Sequence, residues 1–244
     1  MKRAFWLTLL AVVVFAGIVL ARLPASWVIP SSGNLSCTAV DGSIWSGACS
    51  GLTVQGMSMG DVVWDLHPAR LLMGKLAAHV VLTKGTSSAR ADVEVGLHKD
   101  ITARNLVADL PLDPSVIPQM PSTLRGTAHL DLAQIRVERN IITQLQGRVE
   151  LHDLVQRSSS DLTRLGDYSL TFPGGTGEPT GQLRDLGGPL SVDGTLRLTR
   201  EPGFDLQTLV AARANASPDL KDAIQFLGSP DAQGRRPFGM SGTF

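Results

Sequence analysis

The sequence predicts a mainly β fold: one N-terminal transmembrane helix, then a long curved antiparallel sheet or meander with one or two short helices packed on its apolar face. Three observations carry this. Residues 4–21 form a run of 18 without a charge, preceded by Lys2 and Arg3 and followed by Arg22. Beyond it, glycines repeatedly precede stretches in which apolar and polar residues alternate, the period of a half-buried strand. Only one later segment, beginning at Ser217, carries a full set of helix signals.

The first run would make a helix of roughly 27 Å at 1.5 Å per residue, close to a hydrocarbon core of about 30 Å. Trp6 and Trp27 lie near its ends, where amphipathic rings suit the headgroups. The competing reading is a cleaved signal peptide, with Val19-Leu20-Ala21 as the cleavage site. The apolar core is longer than the usual signal h-region, which favours an anchor. In either case the leading positive charges hold the N-terminus in the cytoplasm and send the remainder across the membrane. The expected organisation is a cytoplasmic tip and anchor over residues 1–22, then a β-rich domain over residues 23–244. In a Gram-negative cell that domain would be periplasmic.

Taking Lys2 and Arg3 from the 22 basic residues leaves 20 against 22 acidic ones, a net charge of −2 for the exported part. No basic face for nucleic acid follows from that balance, nor one for an anionic membrane surface. Cys37 and Cys49 both follow the anchor, and in an oxidising compartment the close pair reads as a disulfide. Two independent buried thiols are the alternative; a zinc site would need ligands that are not nearby.

After an extended exit segment, Leu23-Pro24-Ala25-Ser26-Trp27-Val28, the stretch Gly42-Ser43-Ile44-Trp45-Ser46-Gly47 suits a tight pairing with Trp45 buried. Val62-Val63-Trp64-Asp65-Leu66 reads as a strand. Pro68 then opens a short helix that Gly74 closes. The clearest strand pattern is Leu190, Val192, Gly194, Leu196 and Leu198, interleaved with polar residues. Ala128, Leu130 and Leu132 are in phase with one another but not with Ile135 and Val137, so a bulge is expected near Ala133-Gln134. Four prolines between Pro111 and Pro121 predict a rigid connection separating two lobes near residues 110–121. Ser217 caps the best helix, Pro218 and Asp219 follow, and Leu220, Ala223, Ile224 and Leu227 form its apolar stripe.

Catalytic signatures are weak. Gly56-Met57-Ser58-Met59-Gly60 matches a hydrolase elbow in letters, but a strand rather than a helix follows, so a hairpin turn is expected. The glycine-rich Gly174–Gly181 segment lacks the Gly-Lys-Ser/Thr ending of a phosphate loop and reads as a hairpin loop. His67, His79, His98, His129 and His152 share no metal-ligand spacing. No catalytic, cofactor-binding or metal residue is assigned, and no cofactor or small-molecule substrate is expected.

Several stretches occur in a recognisable order: Leu23 to Val28, Gly42 to Gly47, Trp64-Asp65-Leu66-His67-Pro68 through Leu76, Leu165-Gly166-Asp167-Tyr168-Ser169-Leu170, Leu186-Gly187-Gly188-Pro189-Leu190 into Leu198, and Leu227-Gly228-Ser229-Pro230-Asp231-Ala232-Gln233-Gly234-Arg235. Together they resemble the type II secretion system protein N family over nearly the whole chain. The resemblance implies a single-pass inner-membrane protein with a periplasmic β-rich domain. It would be a non-catalytic accessory subunit supporting export of folded proteins across the outer membrane. Its partners would be the other secretion subunits, in the inner-membrane platform and the outer-membrane secretin. Cys37 and Cys49 fall outside the family pattern. The alternative function, from another class, is a periplasmic lipid-binding or lipid-carrying β-groove.

Overall fold

The computed structural model describes residues 6, 15, 19, 22–27, 34–71, 73–97, 100–112, 121–157, 162–175, 177–201 and 203–243. The chain divides into two compact units, residues 1–85 and 86–244. The expected fold class needs one correction. Among the described residues no helix is long and apolar enough to cross a membrane. The α-helices at Pro68–Leu71 and Pro218–Gln225 have 4 and 8 residues, which reach only about 6 and 12 Å against a hydrocarbon core of about 30 Å. The run at residues 4–21, where the sequence places a spanning helix, lies outside the described residues apart from Trp6, Phe15 and Val19. The architecture of the described residues is thus mainly β and antiparallel, with short α-helices at Pro68–Leu71 and Pro218–Gln225.

In the first unit a 3-10 turn, Ala25–Trp27, stands where the sequence suggests an extended exit. Strands β1 (Leu35–Ser36) and β2 (Ala39–Gly42) both pair with β3 (Ser46–Val54), which pairs with β4 (Met57–Leu66), and β4 with β5 (Lys75–Lys84). Helix α1 (Pro68–Leu71) begins at the predicted proline, and Gly74 ends the turn at φ +70°. The turn between β2 and β3 is held by Ser43, whose Oγ accepts from the backbone N–H of Trp45 and Ser46, both at 3.2 Å. Gly47 has no side chain because the Trp64 ring lies against it. That indole donates Nε1–H to the Ile44 carbonyl at 3.2 Å. Trp45, expected to be buried, is only half-buried, and Trp64 supplies the packing instead.

The second unit is an uninterrupted meander, each strand pairing antiparallel with the next. It comprises β6 (Ser87–Gly96), β7 (Ile101–Leu112), β8 (Leu124–Glu138), β9 (Ile141–Arg157), β10 (Leu162–Pro173), β11 (Thr180–Gly187), β12 (Leu190–Thr199), β13 (Gly203–Ala212) and β14 (Arg236–Thr243). Strand β12 has the bounds of the unbroken alternation in its sequence. Residues 113–120 of the proline-rich connection lie outside the described residues; β7 and β8, on either side, pair with each other.

The phase change in β8 is resolved by a line of bulges. Opposite β9 the register slips between Leu132 and Gln134, and opposite β7 the same step faces Asn105, at φ +51°. Gly147 completes the line at φ +137°, where a Cβ would press on the Asp131 carbonyl oxygen and the Leu132 Cα. The result is that Leu132 and Ile135 enter one apolar cluster despite their opposite parity. Leu132, Leu145, Phe172 and Leu198 form its buried centre, with Leu106 of β7 and Phe204 of β13 packed against it. Side chains from strands six apart in order meet only because the sheet curls around them. A second cluster, Tyr168, Val192, Val210 and Ile224, seats helix α2 (Pro218–Gln225) on the same face. Ser217 caps α2 through its Oγ, 3.3 Å from the Leu220 nitrogen. Of the predicted stripe, Ile224 is buried and Leu220 and Leu227 half-buried, whereas Ala223 is exposed.

Glycines with left-handed backbone differ in what they tolerate. Gly147→Ala meets backbone on two sides and is expected to destabilise the chain by about 2–4 kcal/mol. Gly56→Ala, in an open turn at φ +82° with nothing near its Cβ, should cost only about 1 kcal/mol, from the left-handed backbone alone. Urea denaturation of the two variants, followed by tryptophan fluorescence, measures the difference; equal midpoints would contradict the crowding at Gly147.

Candidate interaction surface

The residues singled out in the sequence lie apart from one another. Cys37, just before β2, is bonded to Cys49 on β3, with Cα atoms 5.7 Å apart and Cys49 only 3 % exposed. The bridge spans 12 residues around the Ser43 turn, so its effect is to restrict that loop in the unfolded chain. Ser58 sits within β4 opposite Thr53, with the turn at Gln55-Gly56 before it and strand after it. That placement has none of the strand–nucleophile–helix geometry of an elbow. His129 lies on β8, 2.7 Å from Asp109, and His152 on β9, 3.5 Å from Glu150. His67 precedes α1, His79 lies on β5, and His98 is outside the described residues. Among the described residues no group of three His, Cys, Asp or Glu could hold a metal ion.

The solvent face of the second unit is ruled by cross-strand charge pairs. Asp109 faces His129, Asp131 faces Arg148, Arg184 faces Asp193 and Arg197 faces Asp205. Opposite charges across a ladder favour the native register, while exposed pairs of this kind add little stability each. Across these ladders acidic side chains thus stand opposite basic ones.

A denser network lies beside α2. Arg213, at the end of β13, donates from Nη2 to Asp185 Oδ1 at 2.6 Å, and from Nη1 to the carbonyls of Gly188 and Leu190, both at 3.1 Å. Asp185 also accepts from the N–H groups of Val192 at 3.1 Å and Gly187 at 3.2 Å. Partial burial opposes its charge, but the Arg213 hydrogen bond, the two amides and the guanidinium charge outweigh it and hold the carboxyl below its ordinary value. Tyr168 donates to the Leu165 carbonyl at 2.7 Å. Burial first, then the charges of Asp185 and Asp167, push its hydroxyl up to about 12. Gly188 and Gly166 touch here, a Cβ on Gly188 reaching 2.8 Å from the Gly166 Cα. The stretches Leu165 to Leu170 and Leu186 to Leu190 thus form one structural joint.

The third local feature runs from α2 to the edge strand. Asp231 accepts through Oδ1 from the N–H groups of Gln233 at 2.9 Å and Arg235 at 2.8 Å, and through Oδ2 from Arg235 Nε at 2.9 Å. The Arg236 guanidinium donates to the Leu227 and Gly228 carbonyls at 3.0 and 2.7 Å, closing the C-terminal end of α2. This aims β14 along β13. Phe226 is 91 % exposed beside it, and on β14 Phe238 is 38 % and Met240 49 % exposed. Sequence reading assigned no role to β14. Its signal was the alternation of Phe238 and Met240 with small residues.

Comparison with known proteins adds a family. The family model described as type II secretion system (T2SS), protein N matches residues 33–239. Two relatives are each called type II secretion system protein N. The one from Vibrio cholerae is 28 % identical over 251 residues, covering 99 % of both chains. The one from Aeromonas hydrophila is 25 % identical over 253 residues, again covering 99 % of both. No solved structure gives a significant match.

Tyr168 is the only tyrosine in the chain, so an alkaline absorbance titration reads it alone. Its midpoint should fall near 12 rather than the ordinary 10. Because the folded value is the higher one, its contribution to stability is complete below pH 10 and is lost as pH rises from there. Tyr168→Phe should remove that alkaline slope. For Asp185 the sign is opposite: its contribution is present above the ordinary carboxylate range, about pH 4, and lost as pH falls below it. Arg213→Met should weaken this acid dependence, leaving the part due to the Val192 and Gly187 amides, and cost roughly 2 kcal/mol, discounted for the arginine's partial exposure. A tyrosine midpoint near 10 in the native chain would refute the buried setting.

Proposed function

We propose a role that proceeds from one premise: this chain belongs to the type II secretion system protein N family. It is thereby a component of type II protein secretion, and other secretion subunits are its partners. The reading offered beyond that is a non-catalytic accessory subunit held at the inner membrane, with residues 23–244 in the periplasm. The observation that carries it is the match across residues 33–239, together with alignment of both relatives over 99 % of the chain. The uncharged run at residues 4–21 behind Lys2 and Arg3 supports the placement. A meander of paired strands whose solvent face sets acidic side chains opposite basic ones supports the accessory role, since such a surface offers partners register and shape rather than a reactive cleft. The proposed contacts are the inner-membrane platform and the outer-membrane secretin.

The lipid-carrying reading asks for an open apolar groove. In the second unit that face is filled by its own side chains, Leu132, Leu145, Phe172 and Leu198, each 8 % exposed or less. The secretion role is therefore preferred.

Three measurements test it. Cells lacking the chain should retain a secreted hydrolase in the periplasm and release less to the medium, and re-expression should restore release. A tagged copy should co-purify platform subunits from solubilised membranes. In spheroplasts, added protease should digest residues 23–244. Unchanged secretion with no co-purified subunit would overturn the role, and protection of that region would overturn the placement.

A further inference from the structure

The last strand, β14, is an edge with unusual composition. Among the described residues it pairs with β13 alone. Edge strands are normally blunted by charged side chains, shortness or coverage. From Pro237 to Thr243 β14 carries no charge at all, and only Pro237 interrupts its donors. On its apolar face Phe238 and Met240 stand exposed, in line with Leu206 and Thr208 of β13.

The backbone orientation of this edge is fixed by one hydrogen bond. Thr208 Oγ1 donates to the Phe238 carbonyl at 3.0 Å, so that carbonyl faces β13. In an antiparallel strand successive residues turn their N–H and C=O groups to alternate sides. Phe238 and Met240 therefore face β13, while Gly239 and Ser241 present both groups outward. Pro237 also faces outward, which is where a residue without an N–H does no harm to the ladder.

We propose that β14 is a docking edge for a second copy of this chain, the two β14 strands pairing antiparallel about a two-fold axis through Met240. The argument is self-complementarity. In that register Gly239 lies opposite Ser241 of the second copy, and their outward N–H and C=O groups bond in both directions. Thr243 donates to the Pro237 carbonyl. Met240 meets Met240, a soft contact that adapts to its own image. Phe238 falls opposite Gly242, where the Phe204 ring already lies so close that a Cβ would come within 2.8 Å of its Cε1. Phe238 of each copy thus meets a gap floored by an aromatic ring, and no like charges oppose one another. A strand bearing charged residues would gain no partner on this edge, whereas a copy of β14 satisfies every outward group except one Thr243 carbonyl per chain. A two-fold contact of this kind is isologous and closes at the dimer. The inference stands apart from the secretion role and does not depend on it.

The test uses the full chain in its membranes. Met240→Cys brings two thiols together at the axis, and mild oxidation should yield a cross-linked species of twice the chain mass. Asp219→Cys, exposed at the start of α2, should stay monomeric. Adding Gly239→Pro removes one outward N–H without touching the β13 ladder and should abolish the cross-link while circular dichroism is unchanged. As an independent measure, Met240→Lys sets like charges against each other and should weaken self-association in sedimentation by about tenfold or more. A Met240→Cys chain that stays monomeric, or that cross-links to a chain of another mass, overturns the proposal. So does a Met240→Lys chain that associates as the unsubstituted one does.

Discussion

Everything in residues 86–244 depends on keeping one face of a long meander dry. A strand presents alternate residues to opposite faces, so any slip of one residue turns apolar side chains to water. In β8 the apolar residues change parity between Leu132 and Ile135, and the chain absorbs the change with bulges rather than exposure. One bulge alone would break the ladder with its neighbours. The same step is therefore taken opposite Asn105 of β7 and beside Gly147 of β9. The left-handed backbone at these points is a local cost offset by continuity of the apolar cluster. The curl that this line of bulges permits brings β7 and β13 side chains to the same core.

That dependence separates what could be read in the sequence from what could not. Local signals were legible. Pro68 and Gly74 marked a short helix, Ser217 and Pro218 started another, and Leu190 to Thr199 announced a strand, because each needs only its own neighbours. The change of phase in β8 was legible as a need for a bulge. Its partners were not, because nothing in Asn105 itself shows that it must adopt φ +51°. Trp45 looked like the buried tryptophan of its turn, yet Trp64, 17 positions beyond Gly47, took that place against the glycine. The spanning helix assigned to residues 4–21 finds no counterpart among the described residues.

The interaction features were less legible still. Arg213 and Asp185 are 28 positions apart, and neither residue type nor spacing links them. Only the β11–β12–β13 ladder places a guanidinium over that carboxylate. The glycines of Leu165 to Leu170 and Leu186 to Leu190 looked like independent turn markers. In the fold they are one contact, Gly166 against Gly188, which explains why both stretches need a residue without a side chain. The disulfide was accessible earlier because two cysteines in an oxidising compartment have few alternatives.

A sheet that grows only by adding the next strand ends in edges, and the edges differ in how they are defended. At the start of the first unit, β1 has two residues and β2 four, too short to template a partner. At the end of the second unit β14 has eight, held straight by Arg236 across the end of α2 and backed by β13 along its length. Strand composition follows the same division. The interior ladders of the second unit place charge opposite charge, fixing register where a neighbour is always present. β14 drops charge altogether from Pro237 onward, and among the described residues it pairs on one side only, with β13. Selection for solubility alone would have put lysine at Gly239 or Ser241, exposed positions whose backbone groups point away from β13. The absence of that defence on an ordered, eight-residue edge is the physical reason to regard β14 as a contact surface.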